Sequence, residues 1–270
     1  MTGAEHDISF RAMGCDVRFL IGAPRGRMCR PPRCSAPRSA RGCGRSERTG
    51  GLVDPTLVSE LERAGYADSR EGAERAPLSE ALAAAPARRP ARPSPHAVWR
   101  RVRVDAASVR RPAGVRIDTG GTCKGLAADA VARRLRGHSR FVVDCGGDMA
   151  VGGDDALRRP YEVAVQHPLS AEIVHTLKIA RGGVATSGLD RRIWRRPDGS
   201  FAHHLLDPST GEPAWTGLIG ATAVGHSALE AETLAKHALL VGPAGAPDVL
   251  AELGGAIFHD SGDVQVVAPA

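Results

Sequence analysis

Residues 118–125, Asp-Thr-Gly-Gly-Thr-Cys-Lys-Gly, combine a carboxylate, two adjacent glycines and a lysine just before a helix-forming run, residues 126–135. Adjacent glycines leave backbone N–H groups unhindered, and a helix N-terminus carries a partial positive charge. With the ammonium group of Lys124, these features are suited to holding a phosphate. The spacing fits neither the dinucleotide pattern G-x-G-x-x-G nor the nucleoside-triphosphate loop G-x-x-x-x-G-K-S/T, because no Ser or Thr follows Lys124. The segment therefore predicts phosphate binding of another type.

A second group of side chains suited to chemistry follows further along the chain. Two glycines and Asp148 come after an apolar run that predicts a buried strand, and residues 185–188, Ala-Thr-Ser-Gly, place two hydroxyl groups at a predicted strand end. His204 precedes a turn at residues 207–211. From the residues alone, a chemical role and a strand histidine bonded to a neighbouring carbonyl are equally good interpretations of His204. For Asp118, an Asx turn or a helix cap is the simpler interpretation.

The composition is that of an ordinary folded chain of 270 residues, enough for one large or two small domains. The net charge is +6 and the pI about 9.3, but aromatic residues make up only 4%, which argues against stacking surfaces for single-stranded nucleic acid. No run approaches the roughly 20 apolar residues of a membrane span, and the first residues lack the features of an export signal. We therefore expect a cytoplasmic protein. Its six cysteines fit no zinc spacing and are expected to stay free thiols.

Residues 24–50 differ sharply from the rest of the chain. They contain eight arginines, one acidic residue and no Leu, Ile, Val, Phe, Tyr or Trp, so they offer almost nothing to bury and are expected to be disordered. An arginine-rich arm for nucleic acid is one alternative. The interpretation we favour is GC-rich coding sequence that is misassembled or read out of frame. Residues 1–50 are thus predicted to hold a partial first strand, residues 16–21, and a disordered segment.

The elements that must position these side chains are predicted from periodicity and turn residues. Asp54 predicts the start of a helix that ends at Gly65, and Ser227 with Glu230 has the spacing of a capping box before another helix. Strands are predicted over residues 16–21, 99–104, 113–117, 141–145, 161–165, 173–179, 221–224, 256–259 and 264–267. This mixture indicates a domain of helices and short strands rather than a repeated βαβ unit.

Six short motifs occur in an order that is typical of one protein family. Residues 118–129 are similar to the pattern D-x-G-G-x-A-K-G-x-A-x-D, and residues 204–213 to H-I/L-I/L-D-P-x-T-G-x-P. The other four are residues 13–15 for M-G-T, 51–56 for G-x-F-D-P-T, 146–148 for G-G-N/D and 185–188 for A-T/S-S-G. Together they resemble the ApbE family of flavin transferases, known as FAD:protein FMN transferases. Apart from the opening motif, the resemblance covers residues 51–267.

The resemblance implies an α+β fold of mixed, mostly antiparallel sheets with packed helices, T-fold-like in architecture, over residues 51–270. It also implies Mg²⁺-dependent transfer of FMN from FAD to a Thr hydroxyl of an acceptor flavoprotein, with release of AMP. Lys124 and His204 are then the catalytic candidates. The positions implied to bind FAD are Met13, Leu52, Val53, Asp54, Asp118, Gly120, Gly121, Lys124, Gly146, Gly147, Asp148, Thr186, Ser187, Gly188, His204 and Leu206.

The positions that correspond to the family's metal ligands depart from its pattern. The family uses a backbone carbonyl of the first motif and, on the last helix, an Asp with a Thr or Ser four residues on; here these positions carry Cys123, Glu232 and Lys236. A carbonyl ligand tolerates Cys123, and Glu232 can bind a hard cation. Lys236 cannot bind one, although its charge could replace part of the metal's. An exposed i,i+4 ion pair is an equally good interpretation of Glu232 and Lys236.

Three functional hypotheses follow from these departures. The first is an FMN transferase that uses FAD and magnesium. The second is a flavin-binding pseudoenzyme, because the metal positions are altered and the covering segment rich in Ser, Phe and Arg is missing before residue 51. The third, with less support, is a basic protein that binds nucleic acid through residues 24–50. In all three, Asp207 is expected to fix the turn beside His204, and Glu230 to belong to a helix cap.

Overall fold

The computed structural model describes residues 6–12, 15–22, 44–68, 74–105 and 108–270. The strands are β1 (His6–Ala12), β2 (Cys15–Ile21), β3 (Arg103–Val104), β4 (Val109–Arg110), β5 (Phe141–Cys145), β6 (Asp148–Gly152), β7 (Tyr161–Gln166), β8 (Ile173–Ile179), β9 (Gly182–Gly188), β10 (Ile193–Arg195), β11 (Phe201–His203), β12 (Leu206–Asp207), β13 (Glu212–Pro213), β14 (Leu218–Gly225), β15 (Gly255–His259) and β16 (Val264–Val267). The helices are α1 (Val58–Arg63), α2 (Leu78–Ala84), α3 (Cys123–Ala132), α4 (Ala228–Val241) and α5 (Ala246–Leu250). Two short 3-10 turns, Val98–Arg101 and Asp154–Leu157, complete these elements, and residues 44–48 are also helical.

The described strands build one large sheet and four two-stranded ladders. The large sheet has the order β1-β2-β5-β6-β9-β14-β15-β16, and each neighbouring pair is antiparallel. The ladders are β3 with β4, β7 with β8, β10 with β11 and β12 with β13. The predicted fold class, mixed α and β with mostly antiparallel sheets, is confirmed.

Helix α4 is the central packing element of the fold. Ala235, Ala238 and Leu239 on this helix contribute no exposed surface and pack with Ile257 and Phe258 of β15 in the largest hydrophobic cluster. Small residues on the helix allow the sheet to approach closely, and the buried apolar area supplies the main stabilisation. A charged side chain on this helix is therefore placed inside the molecule.

Helices α3 and α4 meet where the first glycine motif becomes helical. A Cβ atom at Gly125 would lie 2.6 Å from the carbonyl oxygen of Ala228, so only glycine permits this approach. The Asp129 carboxylate accepts hydrogen bonds from the backbone N–H groups of Ala228 (2.9 Å) and Leu229 (3.1 Å). A side chain of α3 thus satisfies the first N–H groups of α4 and fixes the two helices together.

Two local predictions were wrong in their boundaries. Helix α1 begins at Val58 and not after Asp54, because the Asp54 carboxylate instead accepts from the backbone N–H (2.8 Å) and hydroxyl (2.6 Å) of Thr56 in a preceding turn. The expected hairpin of residues 99–104 and 113–117 was wrong for its second strand. Residues 113–117 form no strand, and Arg103 and Val104 pair instead with Arg110 and Val109.

The disorder expected for residues 24–50 does not hold for their last part. Residues 44–48 are helical, Ser46 has no exposed surface, and Thr49 is buried. The Ser46 hydroxyl donates to the carbonyl of Val53 (2.7 Å), and Arg48 forms an ion pair with Glu230 at the start of α4. Polar side chains that find partners can thus anchor a segment that lacks apolar residues. Residues 23–43 lie outside the described residues, and the division of the chain at residue 50 stays a prediction.

No helix within the described residues is long and apolar enough to cross a bilayer. The three cysteines described there, Cys15, Cys123 and Cys145, carry free thiols. Burial raises the pKa of the Cys145 thiol to about 12, so this side chain behaves as a small apolar group.

Candidate active site

Lys124 and Asp148 connect the two double-glycine motifs. The Lys124 ammonium on the first turn of α3 lies 2.6 Å from Oδ2 of Asp148, whose side chain is 1% exposed. Gly146 and Gly147, at φ +65° and +90°, form the turn between β5 and β6, and these angles favour glycine. The turn carries Asp148 back toward α3, so the two double-glycine motifs meet, and phosphate binding there stays a prediction.

Glu232 and Lys236 form a second ion pair beside the first. Lys236 Nζ lies 3.1 Å from Glu232 Oε1, and the side chains are only 11% and 1% exposed. Glu232 Oε2 accepts from the backbone N–H of Gly125 (3.0 Å) at the start of α3. Burial raises the pKa of Glu232, against the opposing effect of Lys236 and with a further increase from the nearby Asp148 charge. The interpretation of these two residues as an exposed surface pair was wrong.

Lys236 also borders the first glycine motif. A Cβ atom at Gly121 would lie 3.5 Å from Cε of Lys236. The end of this lysine side chain therefore packs beneath the loop that the sequence assigned to phosphate. Because Lys124 and Asp148 both influence the charge of Glu232, the four side chains form one electrostatic cluster, here called the charge cluster: Lys124, Asp148, Glu232 and Lys236.

The residues at the predicted metal positions do not fit a magnesium ion. Both carboxylate oxygens of Glu232 already accept hydrogen bonds, one from Gly125 and one from Lys236. Lys236 offers no lone pair, and the carbonyl of Cys123 alone does not make a site for a cation that requires several oxygen ligands. Among the residues that the structure describes, no group of three or more His, Cys, Asp and Glu side chains could hold a metal ion. Glu232 is therefore not a fitting metal ligand as its contacts stand, and Lys236, as expected from its chemistry, cannot be one.

His204 lies between β11 and β12 and is not part of a strand. Its Nδ1 atom is buried and has no hydrogen-bond partner among the described residues. Burial lowers the pKa of His204 well below its usual value, and the positive charges of Arg192 and Lys236 lower it further. The imidazole is thus neutral, and it is close enough to Lys236 to sense its charge.

The neighbouring His203 is structural. It is 0% exposed and packs edge-on against Trp215 at a ring-centroid distance of 4.7 Å. Its Nδ1 atom accepts from the backbone N–H of Leu205 (3.3 Å), and burial lowers its pKa to about 3. A fixed and neutral His203 holds the segment that presents His204.

Two aspartates of the motifs hold turns. Asp118 Oδ1 accepts from the backbone N–H of Gly120 (2.7 Å), which is the Asx turn expected as the simpler interpretation. Asp207 Oδ1 accepts from the N–H (2.9 Å) and hydroxyl (2.8 Å) of Ser209, as predicted for a residue that fixes the turn after His204. Both carboxylates therefore shape loops around the candidate site.

The hydroxyl groups of β9 point to different environments. Thr186 Oγ1 lies 2.8 Å from Thr222 Oγ1 of the adjacent β14, while Ser187 is buried. Gly188 follows at the strand end, where a Cβ atom would lie 2.7 Å from Oδ1 of Asp190. Contact of residues 186–188 with FAD stays a prediction.

The remaining predicted FAD contacts separate into core and turn residues. Leu52 is buried with Ala214 and Leu240, and Leu206 is buried with Trp194 in another cluster. The backbone of Val53 is held by the side chains of Ser46 and Thr49, and Asp54 closes its own turn. Met13 lies outside the described residues.

Sequence reasoning missed a surface groove next to the first motif. This groove has a volume of about 610 Å³. Asp118 lies at its edge, and Tyr66, Arg111, Arg116, Leu61 and Glu62 are among its other lining residues. Arg116 and Glu62 form an ion pair of 2.6 Å within it. The sequence does not reveal this groove, because its residues come from α1, from the segment just after it and from a loop some 50 residues later.

Comparison with known proteins identifies the family of this chain. The model of the ApbE family matches residues 40–258. Proteins named FAD:protein FMN transferase are similar to part of the chain: that of Klebsiella pneumoniae is 32% identical over 146 residues, which are 53% of this chain and 41% of the relative. The one from Treponema pallidum is 30% identical over 142 residues, 48% of this chain and 39% of the relative. These matches span about two fifths of each relative's length.

Solved structures share the fold. The ApbE protein of Thermotoga maritima has a TM-score of 0.73 at 22% identity, covering 97% of both chains. The flavinyl transferase ApbE of Pseudomonas stutzeri has a TM-score of 0.70 at 20% identity, covering 98% of this chain and 95% of the other. The family match covers most of the sequence and includes residues 118–125, 146–148, 185–188 and 204–213. The chain therefore belongs to the ApbE family.

Proposed function

We propose that this chain is an FAD:protein FMN transferase. The observation that carries the proposal is the convergence of both glycine motifs, Lys124 and Lys236 on one place beside His204, in a member of the ApbE family. In the proposed reaction, a Thr hydroxyl of an acceptor protein attacks the phosphorus of the FMN half of FAD. The bond from that phosphorus to the bridging oxygen breaks, and AMP leaves with the bridging oxygen.

The charge cluster and the glycine motifs would bind the pyrophosphate. Phosphoryl transfer depends mainly on positioning and on positive charge at the phosphate oxygens. Lys124 is 25% exposed and pairs with a fully buried Asp148, so its ammonium can lean toward a ligand while Asp148 keeps it in place. The N-terminus of α3 adds a partial positive charge on the same side.

His204 would accept the proton of the attacking Thr hydroxyl. A base must be neutral before it reacts, and burial with two nearby cations keeps the imidazole neutral. The same surroundings make the free imidazole a weak base. The negative charge of bound FAD opposes the effect of Arg192 and Lys236, so we expect substrate binding to raise the pKa of His204 toward a useful range.

Magnesium, which the resemblance implies, is not part of this proposal, because the residues at its positions do not fit it. The Thr residue of the acceptor and the cytoplasmic location stay predictions. The flavin-binding pseudoenzyme is the outcome to which a failed transfer assay would lead.

The test is covalent labelling of a Thr-containing acceptor peptide with FAD, read as flavin fluorescence in a gel. His204→Ala is expected to abolish labelling and to leave FAD affinity nearly unchanged, because His204 acts on the acceptor proton and not on the pyrophosphate. His226→Ala, at an exposed histidine paired with Glu252, is the matched control and should label normally. If the wild-type chain binds FAD but labels no acceptor with or without magnesium, the transferase proposal is wrong.

A further inference from the structure

Lys236 is a buried cation that the family pattern does not explain. Its side chain is 11% exposed, on a helix whose other inward residues are mostly apolar. Burying an ammonium group is unfavourable unless it is paired and hydrogen-bonded. A lysine buried beside a glycine loop is therefore expected to have a role that offsets this cost.

Glu232 holds this lysine in place. Its carboxylate links Lys236 Nζ (3.1 Å) on one oxygen to the Gly125 N–H (3.0 Å) on the other. Each oxygen of this carboxylate is thus directed at an N–H donor. Glu232 therefore acts as a positioning residue that joins the ammonium of α4 to the first turn of α3.

The Lys236 ammonium lies where a positive charge could stabilise a bound pyrophosphate. The end of the Lys236 side chain packs under Gly121, whose loop is the proposed phosphate cradle. The positive charge of Lys236 also lowers the pKa of the His204 imidazole. The lysine thus borders the proposed binding site for the pyrophosphate and acts electrostatically on the proposed base.

We propose that the ammonium group of Lys236 supplies the positive charge at the pyrophosphate that a divalent metal ion would otherwise supply, so that FAD binds and reacts in this chain without metal. The inference rests on the proposed function and narrows its mechanism. Two ammonium groups, from Lys124 and Lys236, then face the two negative charges of the FAD pyrophosphate. Neither group requires the oxygen ligands that the site lacks.

The first experiment measures binding without any turnover. FAD is titrated into the full chain by fluorescence, once in excess EDTA and once in millimolar magnesium chloride. We expect the Kd to change by less than about twofold between the two conditions, a difference of under about 0.5 kcal/mol. Mn²⁺ binding followed by electron paramagnetic resonance, with and without FAD, should show no stoichiometric site. Binding of FAD that requires magnesium, one tightly bound Mn²⁺ per chain, or no FAD binding in either condition would overturn the inference.

Variants separate the charge of Lys236 from the integrity of the fold. Lys236→Met should raise the Kd for FAD at least about tenfold, and Lys178→Met, at a lysine that is 72% exposed, should leave it unchanged. Because the single change leaves Glu232 buried with one partner fewer, the double variant Glu232→Gln, Lys236→Met is made as well, and its circular dichroism confirms folding. A folded double variant with wild-type FAD affinity would overturn the inference.

The outcomes distinguish this inference from the proposed function. If FAD binds equally well in EDTA and in magnesium, Lys236→Met weakens binding, and no acceptor is ever labelled, the transferase function fails and only the role of Lys236 in binding FAD without metal stands. If labelling occurs only with magnesium, the function stands and the role of Lys236 is wrong.

Discussion

The two ion pairs of the charge cluster have the same chemistry but different connections. Lys124 lies on α3 and Asp148 at the start of β6, so this pair joins a helix to a strand that is distant in sequence. Glu232 and Lys236 lie one turn apart on α4. The side chain of Lys124 is 25% exposed and that of Lys236 only 11%. The first can move toward a ligand, whereas the second is held by Glu232, which also accepts from the Gly125 N–H.

This difference shows what an i,i+4 spacing does and does not indicate. On a solvated helix, such a pair contributes a few tenths of a kcal/mol. On α4 the ion pair with this spacing is buried between the sheet and α3, so each charge depends on its partner. Breaking the two pairs separately should therefore give effects of very different size.

The largest effect is expected from removing the Lys236 charge alone. Lys236→Met should lower the free energy of unfolding by about 3–5 kcal/mol, because it leaves the Glu232 carboxylate buried without its counter-ion. Lys124→Met should cost less, since water can reach the part of the site that Lys124 vacates. Urea denaturation measures both, with Lys178→Met as a surface control expected within about 0.5 kcal/mol of the wild type. Equal losses of stability in Lys124→Met and Lys236→Met would show that the two pairs do not differ.

Acid should lower the stability of the fold through His203 and His204. The pKa of His203 is lowered from 6.5 to about 3, and that of His204 is also lowered. The unfolded chain therefore binds protons below pH 6.5 that the folded chain does not, and stability falls as the pH drops below that value. Each histidine contributes up to about 1.4 kcal/mol per pH unit.

Urea denaturation between pH 7 and pH 5 measures this slope. His204→Gln should make it shallower, because one of the two buried imidazoles no longer takes up a proton on unfolding. A slope unchanged by this substitution would mean that His204 binds the same number of protons in the folded and unfolded chain, which contradicts a pKa lowered by folding.

Removing both charges of the α4 pair should cost much less than removing one. Glu232→Gln combined with Lys236→Met keeps the approximate volume and an acceptor for the Gly125 N–H. The double variant is expected to lose about 1–2 kcal/mol, less than half of the loss in Lys236→Met, because no buried charge is left unpaired. The comparison is a double-mutant cycle by urea denaturation. Additive losses would indicate that Glu232 and Lys236 do not interact.

The smallest effect concerns the turn that precedes the cluster. Asp118→Ala removes the acceptor for the Gly120 N–H and should lower stability by about 0.5–1 kcal/mol. Asp118→Asn keeps an acceptor oxygen and should be close to the wild type in thermal unfolding. If both variants lower stability equally, the Asp118 charge matters and not the Asx turn.

Local patterns in the sequence predicted local structure well. Ser227 was expected to cap α4, and its hydroxyl does accept from the Glu230 N–H at 3.2 Å. The buried strand over residues 141–145 was also predicted correctly. These features depend on residues that are close in sequence, so their physical cause is visible there.

Features that depend on distant contacts could not be predicted. Asp54 resembled a helix cap, but Thr56 competes for its carboxylate and the helix begins later. Glu232 resembled a metal ligand or a surface residue, because nothing near it in sequence reveals the Gly125 N–H that it binds. Residues 44–50 are likewise ordered through contacts with Val53 and Glu230, which lie outside the segment.

The central claim is that this charge cluster directs FMN transfer through its own lysines. Its most direct test is intact-mass spectrometry of a Thr-containing acceptor after incubation with the full chain and FAD in EDTA, with AMP quantified in the same sample. The account predicts an acceptor heavier by one FMN phosphoester and one AMP released per adduct. An acceptor that gains no mass, or gains it only when magnesium is supplied, would contradict it.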